Sequence, residues 1–295
     1  MEKLIKTVKK ETETNNEEKW SLVITPKRKL LDLQIREIIR YRDLILLFVK
    51  RDFVIQYKQT ILGPLWFVIN PLLSTIIYTF IFGRLANIGT DGIPHTLFYF
   101  SGTILWSFFA ACFQEASNVF ISNANIFGKV YFPRLVIPIN YVLSNSIKTL
   151  IQFAMLVIIF VYFIINGSAV RCTWQIAFLP FVLIWLAAIG IGGGIIISSI
   201  TTKYRDLRQL VTFGLSLAMY ATPVVYPISE IPQRFQWLAF ANPVSAPIEL
   251  FRKWFFGTAT VDTTMILVSI GITAVILFIG LILFNQNEQN FIDVI

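Results

Sequence analysis

The sequence predicts an all-α integral membrane protein with six transmembrane helices, an N-terminal amphipathic interface helix and a re-entrant helical hairpin between spans five and six. Of its 295 residues, 56% are hydrophobic and only 14% are charged, against about 25% charged residues in an ordinary soluble domain. Apolar stretches of the length that a bilayer requires, about 20 residues, also occur repeatedly along the chain. These observations exclude a soluble enzyme.

The N-terminal region divides into a polar tail and an amphipathic helix. Residues 1–29 mix charged and polar side chains and contain no apolar segment of a secretory signal, so we expect a cytoplasmic tail. Across residues 30–60, apolar residues recur at helical spacing among basic ones, which predicts a helix at the membrane surface. A helix packed on a soluble core is the alternative, although little soluble protein remains for it to contact. Residues 61–295 then form the transmembrane domain.

Six apolar stretches are the predicted spans, at residues 64–86, 96–117, 142–165, 174–200, 208–227 and 263–284. An even number of spans places both termini on one side of the membrane. Most Lys and Arg residues lie on that side, in the N-terminal region and in the loops around Lys129 and Arg205. By the positive-inside tendency, both termini are cytoplasmic.

The stretch from residue 226 to residue 262 is aromatic and apolar but interrupted. Asn242-Pro243, Pro247, Glu249 and Arg252 divide it into short pieces. Two short helices that enter from the outer face fit this pattern better than a seventh span, which is the alternative. Broken backbone at membrane depth is tolerated where it is buried in protein or lines a cavity, so we expect this hairpin to lie beside a transport path.

Motifs for catalysis are missing from the sequence. No GxxxxGK[ST] phosphate-binding loop occurs, because Gly128-Lys129 lacks the leading glycine and the following hydroxyl residue. One histidine and two cysteines match no metal-site spacing, and the carboxylates beyond residue 60 are scattered. We therefore expect no catalytic residue, no metal and no cofactor in this chain.

Polar and aromatic residues inside the first two predicted spans form faces that could line a transport path. In the first span the residues recur every four positions, at Asn70, Ser74 and Tyr78. In the second span they recur every seven positions, at Tyr99, Trp106 and Phe113. Ordinary packing between helices is the alternative for both faces. In the fourth span, Gly190, Gly193 and Gly194 predict close approach of a neighbouring helix.

Lys148 is a basic residue inside the third predicted span. A lysine at the bilayer centre costs about 2.5 to 3.5 kcal/mol on insertion scales, so its position requires an explanation. The favoured interpretation is that its long side chain reaches the cytoplasmic interface. The alternative is a contact with the phosphate headgroup of a substrate that enters from that side.

Several different short motifs follow one another between residues 40 and 284. They are Arg51-Asp52, Gln56-Tyr57-Lys58-Gln59-Thr60, Leu62-Gly63-Pro64-Leu65-Trp66, Asn70-Pro71, Phe127-Gly128-Lys129-Val130-Tyr131-Phe132-Pro133-Arg134, Tyr204-Arg205-Asp206-Leu207 and Thr222-Pro223-Val224. In this order they resemble the ABC-2 type permeases that export bacterial polysaccharides, namely O-antigen, teichoic acid and capsule. Each motif is weak by itself, but the set is specific.

The resemblance implies a homodimer in the bacterial cytoplasmic (inner) membrane that works with a separate ATPase subunit, which binds Mg-ATP. It implies that the substrate is a lipid-linked polysaccharide. It also implies contact with membrane lipid and no binding of nucleic acid. It assigns Arg51, Asp52, Tyr57 and Lys58 to an interface helix that meets the ATPase. It assigns a cytoplasmic coupling loop to the residues Phe127, Lys129, Phe132, Pro133 and Arg134.

Two other functions stay open at the level of sequence. One is an ABC-2 exporter of a smaller lipid or drug. The other, from a different class, is a membrane-embedded glycan-processing enzyme or an assembly scaffold. The scattered carboxylates disfavour the enzyme, because metal-assisted glycosyl or phosphoryl transfer would require them to be clustered.

Overall fold

The computed structural model describes residues 35–58, 60–127, 132–168, 170–201, 207–257 and 261–294. All regular secondary structure in these ranges is helical. The predicted tail of residues 1–29 lies outside them. The described part of the predicted interface helix consists of two helices, α1 (Ile35–Arg40) and α2 (Arg42–Tyr57), separated by Tyr41, whose ψ of 18° interrupts the helical conformation.

Five helical segments are long and apolar enough to cross a membrane. They contain α3 (Trp66–Tyr78) with its π-helical extension Thr79–Leu85, α4 (His95–Ser117), α7 (Val136–Ile165), α8 (Leu179–Thr201) and α12 (Thr263–Val294). Five of the six predicted spans are therefore confirmed as helices of sufficient length. The third begins at Val136, several residues before the predicted boundary.

The remaining helices are short. Two of them, α5 (Val119–Ser122) and α6 (Ala124–Phe127), follow α4. Next come α9 (Leu207–Tyr220), α10 (Gln236–Ala241) and α11 (Ser245–Phe256). The last two are the two short helices that the interrupted stretch predicts, and they are joined through Asn242, which caps α10 with an extended backbone.

The predicted span at residues 208–227 is not confirmed as a complete crossing. Its helix, α9, has 14 described residues, which correspond to about 21 Å at 1.5 Å per residue, and a bilayer core is about 30 Å thick. The helix ends at Tyr220, and the following residues form turns. Pro223 lies within those turns and cannot donate a helical backbone hydrogen bond.

Helix α4 lies at the centre of the bundle and packs closely against α8. A Cβ atom added to Gly194 of α8 would lie 2.5 Å from the carbonyl oxygen of Phe113, and one at Gly190 would lie 3.0 Å from that of Phe109. On the other side of α8, Gly280 of α12 approaches the backbone of Gly192 equally closely. The expectation that these glycines mediate close helix packing is confirmed.

The outer surface of the bundle is apolar. Ile76 on α3, Ile158 on α7 and Leu267 on α12 each expose most of their side chains. Isolated exposed apolar residues are normal in soluble proteins, but here they cover three long helices that carry few charges. This surface suits hydrocarbon chains of lipid, which require no hydrogen bonds from it.

Candidate functional site

A fully buried ion pair on α11 lies beside the N-terminal part of α4. The Arg252 guanidinium lies 2.8 Å from the Glu249 carboxylate, one helical turn earlier. It also donates hydrogen bonds to the backbone carbonyls of Phe98 on α4 and of Pro223 and Val224 in the turn after α9. Burial raises the pKa of the Glu249 carboxyl, and the guanidinium opposes that shift. Three separate elements thus meet at one arginine.

Space for Arg252 depends on an aromatic ring and a glycine of α4. The guanidinium carbon lies 3.6 Å from the centre of the Phe98 ring, at cation–π distance. A Cβ atom at Gly102 would lie 2.6 Å from a guanidinium nitrogen and 2.9 Å from the Val224 carbonyl oxygen. Gly102 is therefore required for the close approach of the turn to α4.

A cavity of about 570 Å³ lies between α4, α8 and α9. Its wall contains Trp106, Phe109, Phe113, Ile197, Leu210, Val211, Gly214, Leu215, Ala218, Thr222, Asn242 and Val244. Thr222 and Asn242, at one end, are hydrogen-bonded to each other at 2.8 Å. The wall carries no charged side chain among the described residues, and its volume is in the range of ligand-binding pockets.

The three aromatic residues predicted from the second span occupy different environments. Trp106 and Phe113 line the cavity, with Trp106 only 6% exposed and Phe113 half-buried. Tyr99 is fully buried among the rings of Tyr78, Phe98 and other aromatic residues. Its burial favours the packing interpretation for Tyr99, whereas Trp106 and Phe113 border open space.

The polar residues predicted from the first span form no common surface. Asn70 is exposed, and the Ser74 hydroxyl donates to the Asn70 carbonyl oxygen within the same helix. The Tyr78 hydroxyl points instead to Met219 of α9, at 3.8 Å from the sulfur. Tyr78 therefore connects α3 to the helix that borders the cavity.

Among the described residues of the predicted coupling loop, Phe132 packs directly on α2. The Phe132 ring lies 6.0 Å from that of Phe48 on α2 and 5.9 Å from that of Phe127. Phe132, Pro133 and Arg134 are buried, and the Arg134 guanidinium lies 5.3 Å from the centre of the Phe127 ring. Lys129 lies outside the described residues. Phe132 and Arg134 thus contribute to the attachment of α2 rather than to an exposed protrusion.

The predicted coupling residues on α2 differ in exposure. The Arg51 guanidinium lies 2.8 Å from the Asp52 carboxylate, which also accepts a hydrogen bond of 2.6 Å from Asn140 of α7. Tyr57 ends α2, and Lys58 follows it with an exposed side chain. The structure therefore brings Asp52 into the bundle and leaves Lys58 free to meet solvent or a partner.

Lys148 contacts a residue of its own helix and also approaches α4. Its ammonium group donates to the Asn145 side-chain carbonyl at 2.8 Å and lies 4.0 Å from the Glu115 carboxylate of α4. Its side chain is only 16% exposed. In this geometry the Lys148 side chain does not extend to the membrane interface, and its ammonium group is not free to bind the phosphate headgroup of a substrate.

Sequence reasoning missed the most buried charges. The sequence pattern places Arg252 only among the residues that interrupt an apolar stretch, although it is fully buried. The spacing of Glu249 and Arg252, one helical turn apart in an apolar stretch, was the available signal, because such charges are tolerated when they pair. For Glu115 and Lys148, no pattern in the sequence indicates a pair. Among the described residues, no group of three His, Cys, Asp or Glu side chains could hold a metal ion.

Comparison with known proteins identifies relatives along nearly the whole chain. The ABC-2 type transporter family matches residues 43–256. An O-antigen export system permease protein RfbA of Klebsiella pneumoniae is 32% identical over 255 residues, which cover 86% of this chain and 95% of the relative. RfbA of Myxococcus xanthus is 24% identical, with 88% and 98% covered. The polysialic acid transport protein KpsM of Escherichia coli is 23% identical, with 81% and 91% covered.

Removal of one partner of the buried ion pair is expected to destabilise the protein strongly. Glu249→Gln leaves the Arg252 guanidinium buried without its counter-ion, which costs about 3 to 5 kcal/mol. Thermal unfolding of the purified protein measures this loss. The control is Lys253→Gln, which removes an exposed cation next to the pair. Equal unfolding temperatures for Glu249→Gln and the wild type would contradict the assignment.

Proposed function

Because this chain belongs to the ABC-2 type transporter family, we propose that it is the transmembrane permease subunit of an ATP-driven exporter. Its substrate is a lipid-linked polysaccharide that crosses the bacterial cytoplasmic membrane. The observation that carries this proposal is the similarity to O-antigen export permeases over 86% of the chain. The polysialic acid transport protein KpsM of Escherichia coli matches a similar share.

A separate ATPase subunit supplies the energy and binds at the inner end of the bundle. The sequence has no phosphate-binding loop of its own. Helix α2 exposes Leu46, Leu47 and Ile55, and Lys58, which follows it, is also exposed, while the opposite face of α2 packs on the bundle. This gives a mixed apolar and basic surface. The segment from Phe127 to Arg134, in which the Phe132 ring contacts Phe48 of α2, is the proposed coupling element beside that surface.

The translocation path passes the cavity between α4 and α9. In this proposal α9 belongs to the fifth of six spans, α10 and α11 form the re-entrant hairpin, and both termini are cytoplasmic. Helix α9 exposes Leu210, Phe213, Leu217 and Tyr220, which a second copy of the chain can cover. A two-fold dimer then builds one conduit from the same helices twice.

The aromatic wall of the cavity suits a glycan whose sugar rings present apolar C–H faces. Trp106 and Phe113 supply flat surfaces, and Thr222 and Asn242 supply hydroxyl and amide groups at one end. Export of a smaller lipid is a second candidate, because the cavity wall is mostly apolar. Glycan export and lipid export can be measured on the same reconstituted complex.

The dependence on a partner subunit is the direct test of the function. The purified chain alone is expected to hydrolyse no ATP, and the complex with its ATPase subunit is expected to hydrolyse ATP and move lipid-linked glycan across proteoliposomes. Phosphate release and glycan protection are measured together. ATP turnover by the chain alone, with contaminating ATPases excluded, would contradict the proposal; transport of lipid without glycan would favour the second candidate.

The native cysteines test the orientation of the chain. Cys172 is exposed between α7 and α8, and Cys112 is fully buried. With a cytoplasmic N-terminus, Cys172 faces outward, so a membrane-impermeant maleimide is expected to label intact spheroplasts. Burial raises the pKa of the Cys172 thiol, so labelling is faster at mildly alkaline pH, where more thiolate forms. Cys172→Ser is the control, and labelling only after lysis would reverse the orientation.

The cavity wall is tested by removing one aromatic ring. Phe113→Leu keeps an apolar side chain but loses the flat surface, so glycan export is expected to fall about fivefold, the equivalent of about 1 kcal/mol. Phe278→Leu makes the same change on the exposed face of α12 and should leave export unchanged. A large loss of thermal stability in Phe113→Leu with normal export per folded protein would assign Phe113 to packing.

A further inference from the structure

The attachment of α2 to the bundle has an apolar part and a polar part. Ile45, Phe48 and Val49 of α2 are buried in an apolar cluster that also contains Phe132 and Phe284. The polar part begins at Asp52: one carboxylate oxygen accepts from Arg51, and the other accepts from the buried Asn140 of α7. Apolar contacts are non-directional, whereas a short hydrogen bond fixes both distance and angle.

Further along α7, a second set of hydrogen bonds reaches α4. The amide nitrogen of Asn145 donates to the Glu115 carboxylate at 2.7 Å, and its carbonyl oxygen accepts from Lys148 at 2.8 Å. Asn145 is thus placed between an acid on α4 and a base on its own helix. Asn140 and Asn145 are both almost completely buried, so neither can exchange these partners for water.

We infer that Asp52, Asn140, Asn145, Glu115 and Lys148 form an inner polar link that transmits displacement of α2 to α4 and α7. Asn140, Asn145 and Glu115 are positioning residues for export, because they act through the helices that they join. This inference rests on the proposed function, in which the ATPase subunit acts on α2. It assigns a role to three residues outside the coupling surface itself.

The hydrogen bonds of the inner polar link are directional, so they can transmit a displacement of α2 to the helices that they join. Asn140 and Asn145 are almost completely buried, and a buried amide that loses its hydrogen-bond partner is left unsatisfied, which is unfavourable. When α2 tilts or shifts, α7 must therefore follow to keep Asn140 on Asp52, and α4 must follow to keep Glu115 on Asn145. The apolar contacts at Phe48 could instead slide without such a penalty.

The displacement of α4 reaches the cavity directly. Glu115 lies two residues after Phe113, which lines the cavity, and nine residues after Trp106. At 1.5 Å per residue, the distance from Glu115 to Trp106 along the axis is about 13 Å. The same rigid helix therefore carries both the charged end of the inner polar link and the aromatic wall of the proposed path.

The experiment compares ATP hydrolysis with glycan export in the reconstituted complex of the full chain and its ATPase subunit. Asn140→Leu and Asn145→Leu keep the side-chain size and remove the hydrogen bonds. Export per ATP hydrolysed is expected to fall about tenfold, the equivalent of about 1.4 kcal/mol, while ATP hydrolysis per folded complex stays close to wild type. Ser146→Ala is the matched control, since its hydroxyl bonds only the backbone of α7.

A charge exchange provides a second arm that does not depend on the leucine variants. Glu115→Gln alone and Lys148→Met alone should uncouple, and Glu115→Lys with Lys148→Glu should restore export per ATP. Unchanged export per ATP in all variants would overturn the inference, as would parallel loss of export, hydrolysis and folded complex. A wild-type complex that exports no glycan would overturn the proposed function instead, and this baseline is measured first.

Discussion

Burial of the Arg252 guanidinium is the constraint on which the part of the protein around the N-terminal end of α4 depends. A buried cation is costly unless it is paired and hydrogen-bonded. A carboxylate and three backbone carbonyls accept hydrogen bonds from its two terminal nitrogens, and its Nε has no hydrogen-bond partner among the described residues. Those acceptors belong to α4, to the turn after α9 and to α11 itself. None of these elements can move independently without exposing an unsatisfied charge. The absence of a side chain at Gly102 follows from this arrangement, because the guanidinium and the turn occupy the space that a Cβ atom would need.

Helix α4 is common to all parts of the structure, and its contacts change character along its length. Near its N-terminal end Phe98 accepts a hydrogen bond from Arg252, and near its C-terminal end Glu115 accepts one from Asn145. Between these ends it faces the glycines of α8, whose small size permits close approach of the two backbones. Directional hydrogen bonds therefore hold both ends of α4, and close backbone packing holds its middle.

Hydropathy located five spans because a long run of apolar residues has few stable environments other than a bilayer. It does not detect the turn at Pro223, so the length of the helix that ends at Tyr220 was overestimated. The sites were less predictable, because periodicity identifies a face but not the helix that covers it. Tyr99 and Phe113 therefore looked equivalent, although one is fully buried and the other lines a cavity. The role of Arg252 depends on a partner 154 residues away in the chain, which spacing cannot reveal.

Charged side chains are concentrated near the two ends of α4, and the cavity between α4 and α9 lies between them. Ion pairs lie near the N-terminal and C-terminal ends of α4, whereas the described wall of the cavity between them is uncharged. The hydrogen bond from Thr212 of α9 to Gln114 of α4 is long, at 3.4 Å. A change in the separation of α4 and α9 therefore breaks few directional contacts among the described residues. In the proposed function, the aromatic cavity is thus the part of the structure best suited to open and close.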